Sequence, residues 1–405
     1  MTSFGVLSTY PPTQCGIATF SAALVRHLNQ AGSRSSAAVV QVISGERPLP
    51  IAAEVVAELP HGDSGAAAAA AAALSRFDVA IVQHEYGIYG GPDGAEVLEV
   101  LNRVRVPVVA VLHTVLSTPT SGQRTVLSRI CELCDAVVVL SQTAARRLVE
   151  GYGADAGRVV VIPHGAETDS WHAPGLLPVS GEHDHEQSRP FLLTWGLIGP
   201  GKGIEWVIDA LAELEDLPVA PRYVVAGQTH PKVLQEQGEA YRDALRERAA
   251  ALGVGHLVHF DAAYRGRRDL AALVASADAV VLPYESSEQV ASGVLIEAVA
   301  ARRPIIATGF PHAAEMLADG AGLLVPHRDP RALATAIRRV LTEPGLAASM
   351  ERRAAQIAPT LDWEAVAGRY RLLAAGLAAD LAPAITPHAS MGHGRPRTGR
   401  RAAVG

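Results

Sequence analysis

A lysine in a glycine-rich turn is the first feature of the sequence that could do chemistry. The stretch "TWGLIGPGKGIEWVIDAL", residues 194–211, ends an apolar run at Trp195, turns through several glycines and continues as a helical pattern near Ile204. Backbone amides and the helix dipole converge at such a turn, and Lys202 adds a full positive charge. The pattern fits a diphosphate site that includes Gly199 and Lys202, or a tight connection alone.

A carboxylate in an apolar helical pattern is the second feature. The stretch "SSEQVASGVLIEAVAARRPIIAT", residues 286–308, contains Glu297 about one turn after the small residues Ser292 and Gly293. A carboxylate near the open end of a helix is a good acceptor for two neighbouring hydroxyls, as on a ribose. The structural alternative is an ion pair of Glu297 with Arg302 or Arg303.

Parallel strands must position both features, and the hydrophobic pattern predicts two sheets of them. Short apolar runs separated by helix-length segments are typical of parallel strands covered on both faces. The predicted strands cover residues 4–7, 37–43, 79–83, 106–112, 136–140 and 159–162 in the first half, and 191–195, 223–226, 257–260, 279–282, 304–307 and 322–325 in the second. The fold class is therefore α/β, with two Rossmann-like doubly wound domains facing across a cleft, where ligands of such sheets bind.

Changes of composition along the chain predict the domain boundaries. The predicted parts are an N-terminal domain at 1–175, a linker at 176–190, a second domain at 191–355, a terminal helix at 356–380 with Asp362 as its N-cap, and a disordered tail at 381–405. The linker is rich in Pro, Gly, Ser and charge, and its His183 and His185 are expected to be solvated rather than metal-binding. The tail has few core-forming residues.

Composition limits the classes of function. A chain of 405 residues exceeds one ordinary core, and its net charge of −6 argues against nucleic-acid binding. Three cysteines are too few for a disulfide framework and suit a reducing compartment. No signal-peptide pattern and no apolar stretch of the ~20 residues that a membrane helix needs are found. A cytoplasmic enzyme with a small-molecule or saccharide partner is expected.

Over nearly its whole length the sequence resembles the retaining GT-B glycosyltransferases of group 1 (family 4). In that family the second Glu of a Glu-x7-Glu element holds the nucleotide ribose and the first contacts the donor sugar. Glu297 matches the second position, whereas Gln289 stands at the first, and Glu288 could replace it only if the turn were shifted. Lys202 matches the family's diphosphate lysine, but the family's neighbouring arginine is absent, so the resemblance implies a second, unidentified cation.

Other motifs extend the resemblance into the first half. "STYPPTQCGIATFSAALVRHL" carries Gly16 in a loop that would approach donor and acceptor, and "VVAVLHT" carries His113, which would approach the donor sugar or remain an ordinary loop histidine. "VVIPHGAE" resembles the family's I-P-N-G segment with His164 in place of Asn, and "LDWEAVAGRY" resembles its helix that crosses back to the first domain. "VQHEYGIYGG" supplies an acceptor wall, and "GQTHPK" places His230 at the cleft edge.

The resemblance implies transfer of a sugar from a nucleotide diphosphate sugar to an acceptor hydroxyl with retained configuration. The implied catalytic residues are His113, Lys202 and Gln289; the donor-binding residues are Gly16, Gly199, Lys202, Gln289, Ser292, Gly293, Val294 and Glu297; the acceptor residues are His84, Glu85 and Tyr86. No metal or cofactor is implied, because the leaving phosphate itself would take the acceptor proton and no Asp-x-Asp site is found.

The implied substrates remain a class rather than single compounds. The co-substrate is GDP-mannose or a UDP-sugar, and "YPPTQCGIATF" is similar to bacterial subgroups of mannosyltransferase type. The acceptor is a saccharide or lipid-linked, with weak association at the inner face of the membrane as one expected location. A GT-B sugar phosphorylase, a nucleotide-sugar epimerase and a non-catalytic nucleotide-sugar binding module stay open as alternatives.

Overall fold

The computed structural model describes residues 1–30, 32, 34–45, 50–168, 189–263 and 265–381. Two parallel sheets, each flanked by helices, make up most of these residues. Most of the predicted linker, including His183 and His185, and the predicted tail beyond residue 381 lie outside the described residues.

The first sheet has seven strands in the order β3-β2-β1-β4-β5-β6-β7. Its strands are β1 Thr2–Ser8, β2 Ser35–Ile43, β3 Val55–Pro60, β4 Val79–His84, β5 Val108–Leu112, β6 Ala136–Val139 and β7 Val159–Val161. Its helices are α1 Gly16–Leu28, α2 Ser64–Leu74, α3 Val97–Leu101, α4 Ser121–Leu133 and α5 Gln142–Tyr152. Neighbouring strands pair in parallel throughout.

The second sheet has six parallel strands in the order β10-β9-β8-β11-β12-β13. Its strands are β8 Phe191–Trp195, β9 Arg222–Ala226, β10 Val258–Asp261, β11 Ala279–Leu282, β12 Ile305–Thr308 and β13 Gly322–Val325. The remaining helices are α6 Ile204–Ala212, α7 Pro231–Gln237, α8 Ala240–Ala251, α9 Arg267–Ala275, α10 Gly293–Ala300, α11 Pro311–Met316, α12 Pro330–Thr342, α13 Leu346–Leu361 and α14 Trp363–Leu381.

The predicted α/β class with two doubly wound sheets is confirmed, and one strand was missed. β3 pairs only with β2 at the edge of the first sheet, and most of its side chains keep partial or full solvent contact. An edge strand of this kind needs no continuous apolar run, so the hydrophobic pattern does not reveal it.

Each sheet has a point where the strand order reverses. In the first sheet this point lies between β1 and β4, and in the second it lies between β8 and β11. Ligands of doubly wound sheets bind beyond the carboxyl ends of the strands at such a point. The loops that follow these four strands are therefore the places to look for a site.

The last helix, α14, packs on the first sheet's domain although it follows the second in sequence. Trp363, Val366, Ala367 and Tyr370 join the same buried cluster as Phe20 of α1. The ring centroids of Phe20 and Trp363 are 5.0 Å apart. Asp362 accepts a hydrogen bond of 2.8 Å from the amide of Glu364, as expected of a residue that caps this helix.

Among the described helices, none is both long and apolar enough to cross a membrane.

Candidate functional site

A cavity of about 370 Å³ opens beyond the carboxyl ends of β8 and β11 in the second sheet. Its lining residues are Pro200, Gly201, Lys202, Tyr284, Glu285, Ser286, Gln289 and Arg328. Two of the predicted catalytic residues, Lys202 and Gln289, thus line one cavity at the point of strand reversal.

The glycine-rich turn holds Lys202 over an aromatic ring. The Lys202 Nζ lies 4.3 Å from the ring centroid of Tyr284, and the amide of Lys202 donates to the Gly199 carbonyl at 3.2 Å. Gly203, with φ of +66°, precedes α6, and a Cβ there would collide with the carbonyl oxygen of Pro283. Burial lowers the pKa of Lys202 to about 8, so the ammonium is still mostly charged at neutral pH.

Glu297 lies on α10, one turn from its first residue. Its Oε2 accepts a hydrogen bond of 3.1 Å from the indole nitrogen of Trp195, the last residue of β8. Burial raises the pKa of Glu297 to about 7, and the Trp195 hydrogen bond opposes that shift. The alternative ion pair is not formed by Arg303, whose guanidinium donates to the carbonyl oxygens of Ala301 and Ala275.

Tyr284 connects the lysine to the carboxylate. Its ring lies under Lys202, and the charge of Glu297 acts on its hydroxyl, whose pKa burial already raises. The ring stacks on Phe310 with centroids 5.3 Å apart. Among the described residues its buried hydroxyl has no hydrogen-bond partner. Lys202 and Glu297 therefore both lie near Tyr284, although Glu297 is not among the lining residues of the cavity.

Sequence reasoning missed Trp195 and Tyr284 as site residues. Both are aromatic residues at the ends of apolar strands, which usually indicates core packing. A usable signal existed, because β8 and β11 are the strands on either side of the reversal in this sheet. An aromatic residue with a polar atom that follows such a strand lies beside the binding crevice.

The amino end of α10 is partly engaged by hydrogen bonds within the protein. Ser292 caps the helix through its side chain, which accepts from the Leu295 amide at 3.3 Å. The Ser292 amide itself donates to Nδ1 of His312 at 2.8 Å. The Ser292 amide is therefore engaged within the protein and is not free for a phosphate or sugar.

Gly293 and Val294, the first residues of α10, face different neighbours. A Cβ on Gly293 would lie 3.1 Å from Nε2 of His164, and one on Gly196 would lie 3.5 Å from the Val294 side chain. Nδ1 of His164 is 2.7 Å from the Gly165 carbonyl oxygen, so it carries the proton and leaves Nε2 as an acceptor. His164 of the first domain thus approaches the amino end of α10.

Glu288 does not replace Gln289, because its carboxylate is already engaged. It accepts from the Ser117 amide at 2.7 Å and from Nη1 of Arg147 at 2.9 Å, and both donors belong to the first domain. Gln289 keeps its side chain at the cavity while its carbonyl accepts from the His312 amide at 3.1 Å. The shifted-turn alternative is therefore wrong.

The predicted acceptor wall lies at the carboxyl end of β4. Glu85 accepts from the Thr114 hydroxyl and from the Tyr86 amide, and burial raises the pKa of its carboxyl. His84 is fully buried, neither of its ring nitrogens has a partner among the described residues, and burial lowers its pKa to about 4. These residues form a neutral-to-acidic wall with unused hydrogen-bonding capacity.

His113 follows β5, beside this wall. Its Nε2 is 2.7 Å from Oε1 of Gln83, and its ring meets that of Phe20 edge-on with centroids 4.9 Å apart. Burial, with His164 and His84 nearby, lowers the pKa of His113 to about 3, so the imidazole is neutral. It is thus a hydrogen-bonded histidine at the cleft, which agrees with either of its two interpretations.

Gly16 is the first residue of α1, in the loop beyond β1 at the reversal of the first sheet. The neighbouring Gln14 accepts a hydrogen bond from Gln228, which follows β9 of the second sheet. This loop therefore contacts the second domain, and its approach to donor and acceptor stays a prediction.

Two cations could fill the place of the missing arginine. Arg328 lines the cavity but is paired with Glu285 through hydrogen bonds of 2.9 and 3.1 Å. Lys232 is exposed at the start of α7, two residues after His230, and its charge opposes the rise that burial causes in the pKa of Glu85. Lys232 is the less neutralised of the two, and sequence reasoning did not identify it.

In the part of the chain that the structure describes, no three His, Cys, Asp or Glu side chains come together as potential metal ligands.

Two family models match, one on each domain. Residues 15–170 match "Glycosyltransferase Family 4", and residues 180–357 match "Glycosyl transferases group 1". Among curated relatives, the D-inositol 3-phosphate glycosyltransferase of Kineococcus radiotolerans is 30% identical over 59% of this chain and 56% of its own length. A glycogen synthase of Mycobacterium tuberculosis is 29% identical over 65% of this chain and 61% of its own.

Solved structures share the fold at low identity. HepE of Anabaena, crystallised with UDP and glucose, has a TM-score of 0.72 and 17% identity, over 93% of this chain and 100% of its own. The chain spans less than two thirds of the two curated relatives.

Proposed function

We propose that the chain is a group 1 glycosyltransferase of GT-B fold, since residues 15–170 and 180–357 match these two glycosyltransferase families. In this proposal it transfers a hexosyl group from a nucleotide diphosphate sugar to an acceptor hydroxyl with retention of configuration. The observation that supports this proposal is that Lys202 and Glu297 both lie near Tyr284, at the strand reversal of the second sheet.

In this proposal, the diphosphate, the ribose and the sugar of the donor each bind different groups of the second domain. Lys202 and the amino end of α6 hold the diphosphate, because an ammonium and free helix amides both favour anions. Glu297, oriented by Trp195, accepts from the ribose hydroxyls. Gln289 hydrogen-bonds the sugar, which leaves the contact uncharged where relatives with Glu would have a carboxylate.

Transfer then needs charge stabilisation more than a protein nucleophile. Negative charge grows on the leaving phosphate as the sugar gains oxocarbenium character, and Lys202 is in place to stabilise it. The leaving phosphate oxygen takes the proton of the attacking hydroxyl on the same face. His84, Glu85 and Tyr86 line the opposite wall, where the acceptor would bind.

The proposed donor is a UDP-sugar or GDP-mannose. HepE was crystallised with UDP, which favours a uridine nucleotide, whereas the "YPPTQCGIATF" motif favours mannose. Thermal shift with UDP-glucose, GDP-mannose and related donors separates the two, because a ligand that binds only the folded state raises the melting temperature. Chromatography of the products then distinguishes glycoside from sugar phosphate, epimerised donor or unreacted donor.

Two variants test the site itself. Lys202→Ala and Glu297→Ala should each abolish the donor-induced thermal shift, whereas Leu372→Ala on the exposed face of α14 should keep it. A full shift in both site variants would reject the assigned site. A wild-type shift without any product across a broad acceptor panel would instead favour the non-catalytic binding module.

A further inference from the structure

The segment 287–291, between β11 and α10 of the second domain, is attached to the first domain. Arg147 of α5 donates to the carbonyl oxygens of Ser287 at 3.3 Å and Glu288 at 3.2 Å, as well as to the Glu288 carboxylate. The same carboxylate accepts from the amide and the hydroxyl of Ser117. One arginine and one serine of the first domain thus hold both the backbone and the side chain of this segment.

Apolar contacts continue the attachment on the other side of Gln289. Val290 is buried to 2% exposure within the first domain's hydrophobic cluster, which includes Val115. Ala291 packs against the cluster that contains Phe20 and Trp363. Gln289 therefore has a first-domain contact on each side of it, although its own side chain lines the cavity of the second domain.

Glu315 makes a parallel connection one helix away. Its carboxylate accepts from the amides of Gln142 and Thr143 at 2.8 and 2.9 Å, at the amino end of α5, where the helix dipole favours an acid. Glu315 lies on α11, and His312 of the same helix bonds both the Gln289 carbonyl and the Ser292 amide. Helix α11 is thus hydrogen-bonded to the amino end of α5 through Glu315 and to the amino end of α10 through His312.

We propose that Arg147 and Glu288 are positioning residues that couple domain closure to donor-sugar binding. The segment 287–291 becomes ordered, with Gln289 toward the sugar, only when Arg147 and Ser117 hold it against the first domain. We call the contacts of Arg147 and Ser117 with this segment the clasp. The proposal rests on the proposed function for the identity of the ligand. Nucleotide binding needs only Lys202 and Glu297 of the second domain, so the clasp should affect the sugar and the reaction rather than nucleotide affinity.

The pair is suited to this role because it is neither fully exposed nor fully buried. The side chains of Arg147 and Glu288 are 17% and 30% exposed. Burial raises the pKa of Glu288, but the bonds from Ser117 and Arg147 outweigh it and leave the pKa below its usual value. The carboxylate therefore stays charged at neutral pH, and water can replace its partners when the domains separate.

The test compares the variants Arg147→Met and Glu288→Gln with a control, Arg146→Met. Among the described residues, the Arg146 guanidinium hydrogen-bonds to Thr143 of the same helix. Hydrogen bonds to charged groups of this kind predict a fall in kcat of about tenfold or more for both clasp variants, with the Kd for UDP or GDP within about twofold of wild type. Donor hydrolysis should rise relative to transfer because water enters the cleft. The double variant should lose less than the two single losses combined, since the two residues share one ion pair.

Small-angle scattering provides a readout that does not depend on activity. Both clasp variants should show a larger radius of gyration than wild type, and Arg146→Met should not. Equal radii and equal kcat in all four proteins, or a parallel loss of nucleotide affinity in the clasp variants, would overturn the proposal. If wild type binds neither UDP nor GDP, the proposed function fails, while the scattering comparison still decides whether the clasp holds the domains together.

Discussion

Lys202 and Glu297 are ionisable residues whose pKa values burial moves toward each other. The pKa of the Lys202 ammonium falls to about 8, and the pKa of the Glu297 carboxyl rises to about 7. Desolvation disfavours the charged form of each group, and neither has an ion-pair partner among the described residues to offset it. A diphosphate near the lysine and hydroxyls on the carboxylate would supply the missing partners, so the free site is prepared for such a ligand.

The pH profile of kcat/KM for the donor should therefore have a narrow optimum. This parameter reports the free enzyme, in which Glu297 loses its charge below about pH 7 and Lys202 loses its charge above about pH 8. Initial rates at limiting donor between about pH 5 and 10 measure both limbs. Glu297→Gln should remove the acidic limb alone, and an acidic limb that persists in this variant would assign it to another group.

The same burial predicts that Glu297→Gln stabilises the free protein at alkaline pH. A carboxyl whose pKa is raised on folding makes stability fall as pH rises from its ordinary value of 4.5 through about 7. A neutral amide avoids this loss and can still accept from Trp195. Because the side chain keeps some solvent contact, the gain at pH 8 should be about 1–2 kcal/mol, and it should vanish below about pH 5.

Urea denaturation at the two pH values measures this gain. Glu285→Gln is the matched control, because its pKa is lowered by the hydrogen bond from Arg328, and its neutralisation should give no gain. Equal stability of Glu297→Gln and wild type at pH 8 would contradict the buried, unpaired carboxylate.

At the scale of elements, the turn between β8 and α6 depends on glycine backbone conformations. Gly201 and Gly203 have φ of +83° and +66°, a region that costs other residues about 1–2 kcal/mol. Only Gly203 is also held against another element, the chain that follows β11, through the Pro283 carbonyl. The close approach of these two segments places Lys202 over Tyr284.

Gly203→Ala should thus be worse than Gly201→Ala. We expect a loss of about 1–2 kcal/mol for Gly201→Ala, where an added Cβ would meet open space, and a larger loss for Gly203→Ala, together with loss of the donor-induced thermal shift. Chemical denaturation and thermal shift with the same donor measure the two effects. Equal behaviour of the two variants would mean that the turn does not need the contact with Pro283.

At the scale of the whole molecule, the last described helix connects the second domain back to the first. Trp363 of α14 is 3% exposed within the first domain's core. The preceding residue, Asp362, accepts a hydrogen bond from Thr168, which lies 194 residues earlier in the sequence. The helix follows α13, which packs on the second domain through Ala354 and Leu361. The chain therefore ends its described part by returning to the domain where it began.

Trp363→Ala should destabilise the first domain. Removal of a buried aromatic side chain costs about 3–5 kcal/mol, whereas Leu372→Ala on the same helix, 75% exposed, should stay within about 0.5 kcal/mol of wild type. Hydrogen exchange of α1 and β1 localises the effect. Exchange increased only in the second domain would contradict the packing of α14 on the first.

The sequence predicted the two sheets, all but one of their strands, and the two residues on which the proposed function depends. Apolar runs and glycine turns are local signals, and they act through backbone conformation and burial that depend on a few neighbouring residues. The predicted places of Lys202 and Gln289 in loops after strands, and of Glu297 in the next helix, needed no tertiary information beyond the rule that strand ends face a crevice. Their roles in binding stay predictions.

Only the tertiary structure decided which groups are engaged and which are free. Glu288 lies next to Gln289 in sequence, yet its carboxylate is bound by Ser117 and Arg147, more than 140 residues earlier. The indole of Trp195 and the hydroxyl of Tyr284 belong to the site for a similar reason, since β8 and β11 become neighbours only in the folded sheet. Contacts between distant segments depend on how whole domains pack together, and a local hydrophobic pattern carries no information about that packing.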